Sequence, residues 1–181
     1  NSRSAPSAYT AVSSASLRGL ICFHCCTGMP LCHLITRRSL VICAASQSIA
    51  FTANRQSDAE YTAYTVGDLF VVPASGGEPK NLTPGPGIAY GPSWSPDGSA
   101  IAFIGHDRAD DWWGIWNHHI WSVPVAGGAP RDLTPDLDRT AEDATIGDLH
   151  DMHGGAAPVW SRDGKTVYFT ASDHGSTHLF A

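Results

Sequence analysis

Short apolar runs separated by tight polar turns occupy the chain from about residue 49 onward. The clearest pair of runs, residues 92–95 and 101–104, flanks Pro96-Asp97-Gly98. In such a turn the aspartate side chain accepts hydrogen bonds from the backbone, and the glycine adopts the positive φ that the turn requires. Because β-prone runs lie on both sides of an Asp-Gly turn, the pattern predicts a β-hairpin.

The same pattern recurs along the chain. Residues 92–103 are repeated as 158–169, and residues 68–83 are repeated as 119–134. The second block contains a Gly-Gly turn between a longer and a shorter strand, so the two blocks together give four strands per unit. Four-stranded units that recur about every 50 residues are typical of β-propeller blades.

The predicted fold class is therefore all-β, a partial β-propeller of four-stranded antiparallel blades with an irregular amino-terminal segment. We expect a non-propeller segment at 1–47 and a partial propeller at 48–181, with about two and a half blades. The blades are expected at about 49–83, 92–134 and 158–181. The first blade is expected to lack its first strand and the last to end in its third, so the chain is expected to be cut at both ends.

The repeat gives a structural explanation for most of the large aromatic residues. Trp94, Trp121 and Trp160 stand at repeat positions. We expect their side chains to pack between blades, together with those of Ile101 and Phe103. Trp112-Trp113 lies outside the repeat and needs another explanation.

Charge and cysteine content differ between the two parts of the chain. Residues 1–48 hold all five cysteines and four arginines but no acidic residue, whereas the repeat region holds all 17 acidic and seven basic residues. Nucleic acid binding needs clustered Lys and Arg, so the composition argues against a nucleic acid partner. Because the repeat region has no cysteine to form disulfides, a reducing compartment is permitted and the cytoplasm is the expected location.

The amino-terminal segment allows several interpretations. Its apolar run at 20–35 is shorter than the roughly 20 residues that a membrane span requires, so no membrane insertion is predicted. Its serine- and arginine-bearing, acid-free composition resembles a transit peptide, which would place the protein in an organelle. The cysteines lack the spacing of a zinc site. Disordered sequence and a mis-joined segment that ends near residue 47 are further interpretations.

The sequence carries no recognisable catalytic or cofactor motif. It has no Gly-x-Ser-x-Gly nucleophile elbow, no phosphate-binding loop and no dinucleotide fingerprint, so we predict no catalytic residue, no cofactor and no metal site. His153-Gly154-Gly155 resembles an esterase oxyanion loop, but without a nucleophile elbow it is expected to be a connector.

Two irregular segments are the candidate binding regions. Residues 106–119 link two strands of the middle blade, and residues 136–155 form an insertion between blades. Acidic side chains beside aromatic ones suit recognition of a peptide amine and its side chains. The alternatives are that the tryptophans cover a blade end and that the insertion is a solvated polar loop. The candidate substrate contacts are Asp110, Asp111, Trp112, Trp113, His118, Asp148 and His150.

The repeat sequence also resembles known proteins. Residues 94–98 (Trp-Ser-Pro-Asp-Gly) with 101–103 resemble the repeat shared by Tol-system propellers and by the propellers of prolyl oligopeptidase family serine peptidases. Longer stretches are similar to the acylaminoacyl-peptidase and dipeptidyl-peptidase branch of that family, namely residues 50–55, 68–79, 81–84, 105–108, 132–139 and 173–180. The resemblance covers about residues 48–181.

This resemblance implies a seven- or eight-bladed propeller that caps an α/β-hydrolase domain with a Ser-Asp-His triad, a domain this chain does not contain. The expected function is that of the non-catalytic propeller part of a serine peptidase. It would gate and position short peptides, the expected partners, over the hydrolase domain, and the chain by itself would be inert. The alternative is a Tol-like binding propeller with no enzymatic activity.

Overall fold

The protein is described here from a computed structural model that covers residues 40–43, 47–53, 67–108, 116–144 and 156–181. These residues contain β-strands and no helix, and the strands form three antiparallel sheets in which sequence neighbours pair. Sheet 1 consists of β1 (Leu40–Cys43), β2 (Ser48–Ala53), β3 (Asp68–Pro73) and β4 (Lys80–Asn81). Sheet 2 consists of β5 (Ile88–Trp94), β6 (Ala100–His106), β7 (His119–Pro124) and β8 (Arg131–Asp132). Sheet 3 consists of β9 (Val159–Trp160), β10 (Val167–Asp173) and β11 (Ser176–Phe180). The predicted all-β fold is confirmed.

The Asp-Gly turns fold in the same way in sheets 2 and 3. The Ser95 hydroxyl donates to the Asp97 carboxylate at 2.6 Å and accepts the Ala100 N–H at 3.0 Å. Ser161, Asp163 and Thr166 make the equivalent bonds, also at 2.6 and 3.0 Å. Gly98 and Gly164 have φ values of 71° and 69°, where a side chain would be strained. The repeated sequence therefore builds the same turn twice.

The strand register gives each sheet two distinct faces. One face, called here the Phe face, carries a phenylalanine of the second strand stacked on an aromatic ring of the third. The ring centroids are 5.5 Å apart for Phe51–Phe70, 6.5 Å for Phe103–Trp121 and 5.6 Å for Phe169–Phe180. The opposite side is called the reverse face. Because side chains alternate along a strand, the reverse face carries the intervening residues, such as Ala50 and Ala102.

The core lies where the reverse face of one sheet meets the Phe face of the next. Leu69 and Val71 of sheet 1 share a buried cluster with Ile101, Phe103 and Val123 of sheet 2. In the next cluster, Ile104 and Ile120 of sheet 2 are buried with Phe169 and Ala171 of sheet 3. Full burial of a large apolar side chain stabilises a fold by about 1.5–3 kcal/mol, so these two interfaces hold the sheets together.

The tryptophans at repeat positions pack as expected. Trp94 and Trp121 are partly buried against the core between sheets 1 and 2. The indole N–H of Trp160 donates to the Ser93 carbonyl oxygen of the preceding sheet at 3.0 Å. These side chains therefore connect neighbouring sheets, and the structural explanation for them is confirmed.

The expectation that the first unit lacks its first strand is wrong. β1 pairs antiparallel with β2, and Ile42 lies opposite Ile49 just as Trp94 lies opposite Ile101. Backbone pairing needs no particular side chain, so a strand forms here although the Trp-Ser-x-Asp-Gly sequence is absent. The proposed domain boundary at residue 47 remains a prediction.

Candidate functional site

The two ends of the sheets differ in the length of their connections. At one end, called the turn face, short turns join first to second strands and third to fourth strands, as at residues 95–99 and 125–130. At the other end, the loop face, the second and third strands are joined by residues 54–67 in sheet 1 and 107–118 in sheet 2. The segments between sheets also lie there. Both irregular segments singled out from the sequence therefore emerge on the loop face.

Repeated polar contacts hold the strand ends beneath the loop face. The Thr83 hydroxyl accepts the Leu69 N–H at 2.8 Å, and the Thr134 hydroxyl accepts the Ile120 N–H at 3.0 Å. A side-chain bond across strands three and four accompanies each contact. In sheet 1 it joins Asn81 to Asp68 at 2.7 Å.

The equivalent bond in sheet 2 joins His119 to Asp132, also at 2.7 Å. The second ring nitrogen of His119 lies 3.1 Å from the Leu137 carbonyl oxygen. This imidazole therefore also ties the strand end to the chain segment that leaves sheet 2.

A group of polar side chains surrounds His118 on the loop face. The Tyr90 hydroxyl lies 2.7 Å from His118 Nδ1, and Glu142 Oε1 lies 3.4 Å from the same atom. The His106 ring centroid is 5.3 Å from that of His118. Burial, reinforced by the Glu142 carboxylate, raises the pKa of Tyr90 far above its ordinary value. The hydroxyl therefore keeps its proton and can donate it.

Residues 134–144, called here the linker segment, cross from sheet 2 to sheet 3 in close contact with both. The buried Ala141 donates its N–H to the His118 carbonyl oxygen at 2.7 Å. On the sheet 3 side, Thr177 donates to the Asp143 carboxylate at 2.6 Å. Arg139 also pairs with Asp173. This described part of the insertion is a bridge between sheets, whereas residues 145–155 lie outside the described residues.

The linker segment lies over the shortest connection of the loop face. β10 and β11 are joined through His174 and Gly175, whose φ values of 48° and 79° are those of a tight hairpin turn. In sheets 1 and 2 more residues separate the second strand from the third, as the bounds of β2, β3, β6 and β7 show. The short hairpin leaves its end accessible, and the linker segment binds to it through Ser172, which donates to Asp143 and accepts the Ala144 N–H.

A cleft of about 270 Å³ opens on the loop face where sheets 1 and 2 meet. Its walls are the Pro84–Gly87 connection, the rings of Phe103 and Trp121, and the side chains of His106 and Asp107. The Trp121 indole N–H donates to the Gly105 carbonyl oxygen at 3.0 Å, which fixes the orientation of the ring. An apolar wall with few polar groups is typical of a small-ligand site.

A second cleft of about 380 Å³ adjoins the first and shares His106, Asp107 and Trp121 with it. The Arg108 guanidinium lies 4.6 Å above the centre of the exposed Trp116 ring, a cation–π geometry. Asp107 and Asp132 contribute carboxylates to this cleft. The clefts place aromatic surface beside charges of both signs, since Arg108 Nε lies 3.6 Å from the Asp107 carboxylate. The predicted role of residues 106–119 in peptide binding stays a prediction.

His118 is the one candidate substrate contact whose placement the structure describes. Its imidazole contacts the Tyr90 hydroxyl and the Glu142 carboxylate, and these contacts stabilise the strand ends beneath the loop face. The remaining candidates lie outside the described residues, and their role stays a prediction: Asp110, Asp111, Trp112, Trp113, Asp148 and His150. Among the described residues, no group of three or more His, Cys, Asp or Glu side chains could hold a metal ion.

Sequence reasoning did not find Tyr90, Glu142 or the Pro84–Gly87 wall. Tyr90 and Glu142 are 52 residues apart and meet only because the linker segment folds back over the end of β5. The sequence did carry a signal for the Pro84–Gly87 wall, because residues 84–87 are all glycine or proline and connect the first unit to the second.

Comparison with known proteins supports the fold and gives a weak indication of the family. No family model matches the chain. Over 135 residues, 74% of the chain, the sequence is 24% identical to dipeptidyl-peptidase 5 of Porphyromonas gingivalis. The structure is similar to putative TolB from Agrobacterium tumefaciens, with a TM-score of 0.53 and 20% identity over 78% of this chain. It is also similar to TolB from Acinetobacter baumannii, with a TM-score of 0.52 and 19% identity over 79% of this chain.

The chain spans a small part of each of these proteins. It covers 17% of the dipeptidyl-peptidase and 40% and 29% of the two TolB chains. The findings therefore show a β-propeller-like fold and weak homology to a dipeptidyl-peptidase. Within the described part of the chain, no helix has the length and apolar character needed to cross a bilayer.

Proposed function

We propose that this chain is the non-catalytic propeller part of a serine peptidase that hydrolyses short peptides. The observation that carries the proposal is the alignment with dipeptidyl-peptidase 5, which extends over 74% of the chain. In this role the propeller gates and positions peptides over an α/β-hydrolase domain that supplies the nucleophile. The chain by itself would then be inert.

The loop face is the side that would meet the peptide. Its two clefts combine aromatic walls with the charged side chains of Asp107 and Arg108, and they suit an apolar side chain next to a polar or charged group. The turn face has short, internally hydrogen-bonded turns, as at Ser95–Asp97. A peptide-binding role therefore predicts that substitutions on the loop face change peptide affinity and that substitutions on the turn face do not.

Peptide binding tests this role on the chain itself. A tetrapeptide amide with apolar side chains, Ala-Leu-Ala-Phe-NH2, is titrated while tryptophan fluorescence is followed. Asp107→Asn and Trp116→Ala, both exposed on the loop face, are expected to weaken binding about fivefold or more. Glu78→Gln removes an exposed charge on the turn face and serves as the matched control. Equal affinity of all four proteins would contradict a role of the loop face in binding.

The second candidate is a Tol-like binding propeller without enzymatic activity, which the structural similarity to two TolB proteins favours. Reading the gene beyond the codon for Ala181 separates the candidates. A Gly-x-Ser-x-Gly nucleophile elbow in frame supports the peptidase, whereas further blades followed by a stop codon support the binder. Cleavage of a peptide nitroanilide by purified 1–181, blocked by a fluorophosphonate, would contradict both.

A further inference from the structure

The linker segment contacts the start of β7 on both faces of sheet 2. Because side chains alternate along a strand, the consecutive residues His118 and His119 lie on opposite faces. The Leu137 carbonyl oxygen lies 3.1 Å from His119 Nε2, and Glu142 Oε1 lies 3.4 Å from His118 Nδ1. Between these contacts, the Ala141 N–H donates to the His118 carbonyl oxygen at 2.7 Å. A histidine therefore holds the linker segment on each face of the sheet.

The two contacts of His119 depend on its protonation. Asp132 Oδ2 lies 2.7 Å from Nδ1 and the Leu137 carbonyl oxygen lies 3.1 Å from Nε2, and both of these oxygens are hydrogen-bond acceptors. A neutral imidazole carries a hydrogen on one nitrogen, whereas the imidazolium carries one on each. Only the imidazolium can donate to both oxygens, so loss of its proton breaks the bond to Asp132 or the bond to the linker segment.

The second cleft brings three further titratable or charged groups near His119, namely His106, Asp107 and Arg108. Asp107 and Arg108 offset each other, since the Arg108 Nε lies 3.6 Å from the Asp107 carboxylate. His106 Nδ1 accepts the Arg108 N–H at 3.0 Å and so carries no hydrogen, which leaves that ring neutral. The contact with Asp132 therefore decides that the charged form of His119 is the favoured one.

His118 responds to protonation in the same direction. Tyr90 faces it from β5, His106 from β6 and Glu142 from the linker segment. Tyr90 keeps its proton and His106 is neutral, so the Glu142 carboxylate is the charged group in this set. A proton on His118 places a positive charge 3.4 Å from Glu142 Oε1 and strengthens the contact with the linker segment.

We propose that the linker segment is a pH-dependent strap, which charged His118 and His119 hold against sheet 2 and which loss of their protons releases. Histidine side chains change charge between about pH 5 and pH 8, a range in which carboxylates ordinarily stay ionised. The strap is therefore tightest near the lower end of this range. Its release uncovers the loop-face end of the core between sheets 2 and 3, against which Leu137 packs. The proposal holds for a peptidase propeller and for a binding propeller alike.

Amide hydrogen exchange of the 181-residue chain measures the strap directly. Exchange rates at Ala141 and Ala144 are divided by the chemical rates of an unstructured peptide at the same pH, which gives their protection. Protection of both amides is expected to be about fivefold greater at about pH 5.5 than at about pH 7.5. Val125, whose N–H donates to the Ser99 carbonyl oxygen on the turn face, is the internal control and should show equal protection at both pH values.

Three variants assign the effect to its groups. His118→Gln combined with His119→Gln keeps polar side chains but removes the titrating rings, so the ratio of protection should fall to about one. Glu142→Gln keeps the size of the side chain and removes its charge, and it should lower the ratio with both histidines in place. His178→Gln removes an exposed histidine of β11 and is the matched control, which should keep the ratio of the unmodified chain.

Equal protection of Ala141 and Ala144 at both pH values in the unmodified chain would overturn the proposal, and this measurement needs no variant to fold. Greater protection at the higher pH would overturn it as well. A ratio that persists without His118 and His119 would assign the pH dependence to another group. A parallel change at Val125 would show that the whole fold loosens, in contradiction to release of the linker segment.

Discussion

The turn face and the loop face are built by the same strands but obey different constraints. On the turn face, two similar sequences make the same serine-to-aspartate hydrogen bond, at 2.6 Å from Ser95 to Asp97 and at 2.6 Å from Ser161 to Asp163. On the loop face, the equivalent connections range from residues 54–67 to the single hairpin at His174 and Gly175. The turns of the turn face therefore fix the strand pairing, and the connections on the loop face can vary in length and in residue type.

Variation on the loop face does not disturb the sheet beneath it. Asp68–Asn81 and His119–Asp132 occupy the same place and have the same 2.7 Å separation, although one pair joins an amide to a carboxylate and the other an imidazole to a carboxylate. The geometry is repeated although the side chains differ, and the carboxylate lies on the third strand in sheet 1 and on the fourth strand in sheet 2. A propeller of this kind can therefore acquire a ligand site on its loop face without loss of strand register.

From this comparison we expect that substitutions at the strand ends beneath the loop face reduce the free energy of unfolding most. Gly105 lies in β6 opposite Ala89, and a Cβ there would lie 1.9 Å from the Ile88 carbonyl oxygen. Gly105→Ala should therefore separate β5 from β6 and cost about 3 kcal/mol or more in the free energy of unfolding. Urea denaturation followed by far-ultraviolet circular dichroism measures this loss.

Gly85→Ala is the matched control for that substitution. Gly85 belongs to the connection on the same face, and a Cβ there would have no neighbour within 4 Å. The change should alter the free energy of unfolding by less than about 0.5 kcal/mol. Similar losses of unfolding free energy in Gly105→Ala and Gly85→Ala would show that the strand ends are no more sensitive to substitution than the connections of the loop face.

A smaller and more local effect is expected at the linker segment. Asp143→Ala removes the acceptor of the Thr177 hydroxyl, a bond of 2.6 Å to sheet 3. The loss should be about 1 kcal/mol, and hydrogen exchange at Ala141 and Ala144 should become faster. Asp136→Ala, at an exposed position of the same segment, is the control. Unchanged exchange in Asp143→Ala would mean that the Asp143 carboxylate does not hold the segment to sheet 3.

The sequence predicted the repeated parts of the fold well, because local turn chemistry determines them. Asp97-Gly98 and Asp163-Gly164 indicate their hairpins without reference to the rest of the chain. β1 was missed for the same reason. Its pairing with β2 depends on backbone hydrogen bonds and on an available strand edge, neither of which requires the motif that was sought at Ile42.

The candidate site was predicted only in outline. Residues 106–119 were recognised as irregular, and the structure places His106, Asp107 and Trp116 in the two adjoining clefts. The contact of Tyr90 with Glu142 could not be foreseen, because it depends on how the linker segment crosses between sheets. A repeat predicts the contacts that recur in every unit, and this one occurs where the units differ.

The turn face also carries a contact between sheets that can be removed with little effect on either sheet. Lys80 donates its ammonium group to the Val125 and Ala126 carbonyl oxygens, at 3.0 and 2.6 Å, across the boundary between sheets 1 and 2. Lys80→Met keeps most of the side-chain stem and removes the donor. Because the site is exposed, the loss should be about 0.5 kcal/mol. Lys165→Met, at the exposed Asp-Gly turn of sheet 3, is the control, and an equal loss in both variants would contradict a role of Lys80 in joining the sheets.

The smallest expected effect is a change in the acid stability of the turn face. The hydrogen bond from the Ser95 hydroxyl, followed by bonds from Ser99, lowers the pKa of Asp97 from 3.8 to about 2. A carboxylate whose pKa is lower in the folded state stabilises the fold above its ordinary pKa, and this stabilisation is lost as the pH falls through the folded value. The urea midpoint of Asp97→Asn should therefore vary less than that of the unmodified chain between pH 4 and pH 2. Ser95→Ala should flatten the profile in the same direction, since it removes the largest cause of the shift. Parallel profiles for all three proteins would show that this repeated turn does not contribute to acid stability, and that its role is confined to fixing the hairpin geometry.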